Sequence, residues 1–234
     1  MNRTLVKVIQ AAVILAMPIF LLLTAGHLII NVWYLNFEYG KPNFPADDYG
    51  FTQAQRVELA TGSIRFLQSP DPAEVAVKIL ADQQLPLFNR PLFSKEELSH
   101  MIDVKRFTDI LWRVQYLAGL IAVGGLILLL AIRGTRWDGY RALFWSGAFT
   151  TGLLVFLTFF VLVSWQMFFV TFHELFFPPG TWTFDYSSSL IRLYPDRFWF
   201  DAGTLITVGT LLVGIGISAV GYALSKRARR QRTI

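Results

Sequence analysis

Four long apolar runs divide the chain, at Leu5–Leu35, Phe107–Ile132, Tyr140–Phe172 and Ala202–Leu224, and few charged residues interrupt them. A bilayer's hydrocarbon core of ~30 Å is crossed by about 20 helical residues, so each run is long enough to span. The pattern predicts an all-α, polytopic membrane protein whose centre is a four-transmembrane-helix bundle. Arg3 and Lys7 give the first run the look of a secretory signal. Its apolar length far exceeds a signal core of roughly 7–15 residues, and it is read as a retained helix.

Between the runs the periodicity changes. Thr52 with Gln55 forms a capping box, in which side-chain oxygens take up backbone donors that a helix start leaves unpaired. Val57, Ala60, Ile64 and Leu67 then recur at helical spacing, predicting a helix to about Gln68. Asp71, Pro72 and Glu74 predict a shorter one to about Ala81. Both read as amphipathic helices at the membrane surface. The 85–91 stretch, Leu85-Pro86-Leu87-Phe88-Asn89-Arg90-Pro91, forbids regular helix through its two prolines. Ser94 with Glu97 supplies another capping box, and nothing breaks the helix from there to Ile132. Such a helix is about 57 Å long, so its first turns project beyond the hydrocarbon.

Composition agrees: 54% hydrophobic and 15% aromatic residues are too apolar for an ordinary soluble domain. Charge then orients the chain. Arg3 and Lys7, the Arg133, Arg136 and Arg141 cluster, and the tail from Lys226 to Arg232 mark cytoplasmic segments, and only Asp138 of the 16 acids falls among them. Both termini are therefore expected in the cytoplasm. Segments 36–106 and 174–201 become outer surfaces, an extracytoplasmic helical cap over the bundle, and residues 1–234 a single membrane domain. The basic tail reads as a topology signal touching anionic membrane lipids; no base-stacking module accompanies it, so no nucleic-acid partner is expected. Oligomeric state is not legible. Zero cysteines exclude disulfides, thiol nucleophiles and iron–sulfur clusters.

Chemistry gathers around histidine. His100 and His173 both fall where a span meets the outer face, each with a carboxylate near in sequence, Asp103 and Glu174. Asp103 shares a helix face with His100 and Phe107 and could orient the imidazole. Asp109 and Arg113, four apart, make a natural ion pair. Pro178, Pro179 and Gly180 stop the third helix soon after His173. Aromatic crowding at Phe176, Phe177, Trp182, Tyr186, Trp199 and Phe200 is read as an interfacial belt. That belt does not explain His173, and His27 in the first span raises the same question. An imidazole with a pKa of ~6.5 can take a proton from an amine and return one to a leaving oxygen. No G-x-S-x-G elbow supports a serine triad. The short 132–140 connection makes spans two and three antiparallel neighbours, which can bring the two histidines together. Separated by more than about 10 Å, they could share no relay at a hydrogen-bond reach of ~3 Å, even through a water.

The stretch Ser94-Lys95-Glu96-Glu97-Leu98-Ser99-His100-Met101-Ile102-Asp103-Val104-Lys105 and the Phe172–Pro195 block, continuing through Phe198-Trp199-Phe200-Asp201, resemble the two signature blocks of the bacterial lipoprotein intramolecular transacylase (Lit) family. The resemblance covers most of the chain, less distinctly at 36–93. It implies a bacterial plasma-membrane acyltransferase that moves the sn-2 acyl chain of a diacylglyceryl-cysteine lipoprotein to the cysteine α-amino group. His100 and His173 fall at the motif histidines and would be catalytic. Asp103, Glu174 and Asp185 stand as supporting acids; Lys105, Arg192 or the Pro179–Thr181 backbone amides could hold an oxyanion. Which histidine is base and which acid stays open, as does a transient acyl-imidazole. No cofactor and no metal are expected. A metal-dependent hydrolase using His100, His173, Glu174 and Asp103 as ligands, and a non-catalytic lipid- or protein-binding scaffold, are the alternatives.

Overall fold

The computed structural model describes residues 1–86 and 89–230, so Leu87 and Phe88 of the proline-flanked stretch and Gln231 and Arg232 of the basic tail lie outside the described residues. In chain order the helices are α1 (Arg3–Ile29), α2 (Val32–Tyr39), α3 (Gln53–Gln68), α4 (Ala73–Ala76), α5 (Lys78–Ala81), α6 (Lys95–Ala131), α7 (Arg136–Val163), α8 (Trp165–Phe176), α9 (Ser189–Leu193) and α10 (Asp196–Arg230). Four of them, α1, α6, α7 and α10, are long and apolar enough to cross a membrane.

Two predicted spans end early. The first stops at Ile29, because Asn31 adopts an extended backbone and its side chain accepts the Trp33 N–H, starting α2 afresh. Leu35 thus belongs to another helix. The third stops at Val163: Ser164 leaves the helical region and α8 begins at Trp165, so His173 rides on a separate helix. Hydropathy could not see this break, since transfer energy is blind to direction and a turned helix has the same apolar composition as a continuing one. The fourth helix starts earlier than Ala202, at Asp196. The helix expected from Ser94 to Ile132 runs unbroken over Lys95–Ala131, with a π-helical turn at Leu120–Gly124.

The chain divides into two compact units. Unit one holds residues 1–26, 111–163 and 204 onward, the apolar lengths of the four long helices. Its helices meet through small residues. A side chain at Gly147 would collide with the backbone of Gly214 and Ser218, and one at Gly221 with the backbone of Phe144, so α7 and α10 touch where only glycine fits. A Cβ on Gly125 would stand 2.7 Å from Val13 on α1. Outward, Leu120, Phe156, Phe159 and Leu212 are exposed, as lipid-facing residues are.

Unit two holds residues 27–110 and 164–203. Its core joins Tyr34, Leu35, Phe66, Leu80, Leu193 and Phe198, and α3 buries Leu59, Ala60, Ile64 and Phe66 in it while Glu58 and Arg65 stay exposed. Buried polar ties cross this core. The Tyr39 hydroxyl donates to the Leu193 carbonyl, Tyr34 to that of Phe198 at 3.2 Å, and Tyr194 to that of Ala60 at 3.3 Å. Lys41 bridges Glu38 and Asp201 at 2.8 Å each. Burial raises the Glu38 carboxyl above the ordinary carboxylate range, against the pull of Lys41.

The Thr52–Gln55 capping box forms. Asp71 does not cap: its backbone N–H bonds back to Ser69, the helix begins at Ala73, and Val77 divides α4 from α5. Pro72, placed at the cap itself, supplies no side-chain acceptor.

Candidate active site

The start of α6 is fixed twice. Ser94 and Glu97 exchange hydrogen bonds at 2.7 and 3.2 Å as a capping box, and the other Glu97 oxygen accepts the Leu190 N–H at 2.7 Å. One buried carboxylate therefore joins the first turn of α6 to the start of α9. His100 follows within a turn.

His100 is 6% exposed and walled by Phe177 and Phe184, with ring centroids 5.1 and 5.6 Å away. The His173 ring lies 6.4 Å from it, near parallel at 27°. That separation is well under the about 10 Å beyond which the pair could share no relay. The His100 Nδ1 is buried without a hydrogen-bond partner among the described residues. His173 is enclosed by Phe169, Phe172, Phe177 and Trp182, at 4.1, 5.6, 5.5 and 4.9 Å. Phe177, shared by both walls, is locked by its N–H to the His173 carbonyl at 2.8 Å. Phe107, one face along from His100 on α6, packs on Phe176 and Phe177 and closes the aromatic wall.

The surroundings set protonation. His173 Nδ1 lies 2.8 Å from the Phe169 carbonyl, which can only accept, so Nδ1 carries the proton and Nε2 keeps its lone pair. Burial lowers the His173 pKa, and the Phe169 carbonyl offsets this in part. The neutral imidazole, a base at Nε2, is the resting form at neutral pH.

The other predicted site residues are occupied elsewhere. Asp103 turns to Arg106 at 3.2 Å, which also forks onto Glu74, and no hydrogen bond between Asp103 and His100 is formed. Lys105, with no side-chain exposure, donates to the carbonyls of Leu67 and Ser69 and to Asp109, capping the C-terminus of α3. Asp109 takes this lysine, four residues before it, rather than Arg113. Arg192 forks onto Asp47 at 3.1 and 2.9 Å and stacks on Phe51. Burial would raise the Asp47 carboxyl, but this fork and the Phe51 N–H overcome it and hold it below the usual range. Glu174 and Asp185 are exposed; the main-chain oxygen of Asp185 accepts the Ser188 N–H. His27 is half-buried in the last turn of α1.

Among the described residues, no group of three or more His, Asp or Glu converges as metal ligands. Of the four side chains of the hydrolase alternative, Asp103 is engaged by Arg106 and Glu174 is exposed. A groove of about 1050 Å³, lined by Phe93, Ser94, Ser99, Thr181, Phe184 and Asp185 among others, adjoins His100 through Phe184. Neither histidine lines it.

Residues 11–199 match the family described as lipoprotein intramolecular transacylase Lit. This chain belongs to the Lit family. It is accordingly a Lit-family membrane transacylase, all-α and multi-pass, with four candidate transmembrane helices. The fold is shared with the solved lipoprotein intramolecular transacylase Lit from Bacillus cereus, at a TM-score of 0.76 and 23% identity over 100% of both chains. A variant of that protein with one histidine replaced by alanine matches at 0.72 and 23% identity, over 97% of this chain and 96% of that one. An uncharacterised protein from Aquifex aeolicus is 28% identical over 92% of this chain and 94% of its own length.

Sequence reasoning passed over Phe177, Phe184 and Trp182 as site residues. Phe177 and Trp182 read as interfacial aromatics, and their only signal was position, within a dozen residues of His173. Glu97 was read as a cap alone; its bond to Leu190 spans 93 residues and has no local signature.

Proposed function

We propose that this enzyme transfers the sn-2 acyl chain of a diacylglyceryl-cysteine lipoprotein to the α-amino group of the same cysteine, with His100 and His173 as its acid–base pair. The observation that carries this reading is the pair itself: two imidazoles 6.4 Å apart, inside aromatic walls suited to acyl chains, in a chain of this family. His173 is the base. Its Nε2 takes a proton from the attacking amine as the nitrogen bonds to the ester carbonyl carbon. When the carbon–oxygen bond to glycerol breaks, neutral His100 gives its ring proton to the departing oxygen and receives, through one water, the proton held by His173. Amine proton and glycerol hydroxyl then balance, and both imidazoles return neutral.

The aromatic enclosure favours intramolecular transfer over hydrolysis by limiting water at the carbonyl. Basic residues at Arg3, Lys7, Arg133, Arg136, Arg141 and Lys226 to Arg230 support a cytoplasmic placement of both termini in a bacterial plasma membrane, with the histidines at the outer boundary. Alkaline phosphatase fusions at each terminus should be inactive if that orientation holds.

The decisive experiment expresses the protein in bacteria lacking other N-acylation and reads lipopeptides by mass spectrometry. Lyso-form, N-acylated product is expected from the wild type and not from His100→Ala or His173→Ala. Product persisting in both variants would sink the dyad.

A further inference from the structure

Acyl transfer of the kind proposed above, on which this inference rests, passes through a tetrahedral carbon bearing an oxyanion. Enzymes meet that charge with preorganised donors in a water-poor site. Most of the donors that the sequence offered are engaged elsewhere: Lys105 caps α3, Arg192 holds Asp47, and in the 179–181 turn proline has no N–H and the Thr181 N–H bonds to the Pro178 carbonyl at 3.2 Å, which leaves the Gly180 N–H.

Trp182 is different. Its ring packs on His173 with centroids 4.9 Å apart, and its indole Nε1 is buried without a hydrogen-bond partner among the described residues. A buried N–H left unpaired costs desolvation with no return, and buried donors in folded proteins are nearly always matched. Phe169, Phe172 and Phe177 wall the same imidazole with no such cost. What tryptophan adds to this wall is one buried N–H.

We propose that the Trp182 indole N–H is the oxyanion donor of this site. As the amine nitrogen bonds to the sn-2 carbonyl carbon, the carbonyl π pair moves onto oxygen, and that oxygen accepts the indole hydrogen bond. The amine proton goes to His173 Nε2. When the carbon–glycerol oxygen bond breaks, the pair returns to re-form the carbonyl, and the indole keeps its hydrogen throughout. Indole nitrogen donates and does not accept, so it discriminates for the oxygen and against a competing proton donor.

The test replaces Trp182 in the full-length protein by β-(3-benzothienyl)alanine, which keeps the shape of tryptophan and puts sulfur where the N–H was. A synthetic diacylglyceryl-cysteine lipopeptide in detergent micelles is the substrate. Loss of one such donor predicts a fall in kcat on the order of 100-fold with KM within about twofold and an unchanged melting temperature. The same replacement at exposed Trp199 should leave kcat unchanged. A Trp182 isostere retaining kcat within about threefold of wild type, or losing kcat only together with thermal stability, overturns the assignment. If the wild type turns over the lipopeptide while the isostere matches it, Trp182 alone fails; if the wild type gives no N-acylated product, the acyl-transfer reading fails with it.

Discussion

The two units of this chain differ in what brings their elements into contact. In unit one, α7 and α10 meet at Gly147 and Gly221 and α1 meets α6 at Gly125, so contact depends on missing side chains. In unit two, buried side chains reach far along the sequence: Glu97 to Leu190, Arg192 to Asp47, Lys105 to the end of α3. Lipid gives apolar helices no reason to leave it for one another, so their association rests on close fit. Unit two instead needs paired polar groups to hold loops that have no helical periodicity of their own. The proposed catalytic pair, whose geometry would tolerate little error, sits among the second kind of support.

The contrast is sharpest in function. His173→Ala should lower kcat on the order of 1,000-fold while leaving the melting temperature of purified protein unchanged, since acid–base groups supply 10²–10⁴ in rate. A substitution in the walls of unit one, Phe156→Leu, should alter neither quantity.

Stability should divide along the same line. Lys105→Ala strands the carbonyls of Leu67 and Ser69 and the Asp109 carboxylate, and should destabilise the protein by about 3 kcal/mol in detergent unfolding. Gly147→Leu should cost about 2 kcal/mol by forcing α7 from α10, with little change in KM. Reversal of these two, with added bulk tolerated at Gly147 and Lys105 dispensable, would erase the distinction. A polar deletion in unit one marks the small end. Thr150 bonds only its own helix, at the Ser146 carbonyl, so Thr150→Val should cost under about 0.5 kcal/mol.

The pH profile probes the smallest difference, that between a buried and a free imidazole. Because the neutral form is favoured in the folded protein, the pKa of His173 falls below 6.5, and its base form persists to lower pH. The substrate amine, with a pKa of ~8, must also be unprotonated. Log kcat/KM should therefore rise with slope two at the acid end, then slope one from the depressed His173 pKa to about 8. A break between the slopes at or above 6.5 would contradict burial as the dominant influence on the base.

Sequence patterns were most reliable where the physics is local. The Thr52–Gln55 and Ser94–Glu97 boxes lie where spacing put them, because a cap needs only its own first turn. They were least reliable where a run of apolar residues changes direction, at Asn31 and Ser164, and for partners of charged groups. Asp109 had a basic residue four positions away on each side; burial of Lys105 chose between them.

From the chain alone came four spans, a helix unbroken from Ser94 to Ile132, a resemblance to a family through two blocks of residues, and the two histidines as the residues worth asking about. Each rests on hydropathy, caps or local order, which neighbours in sequence determine. The Phe169 carbonyl that assigns the proton on His173 lies one turn back on the same helix, but the 6.4 Å between the imidazoles and the buried indole of Trp182 exist only once α6, α8 and the 177–184 segment pack together. No spacing rule encodes the approach of the two imidazoles, because it joins residues 73 positions apart through side chains whose positions depend on everything packed around them.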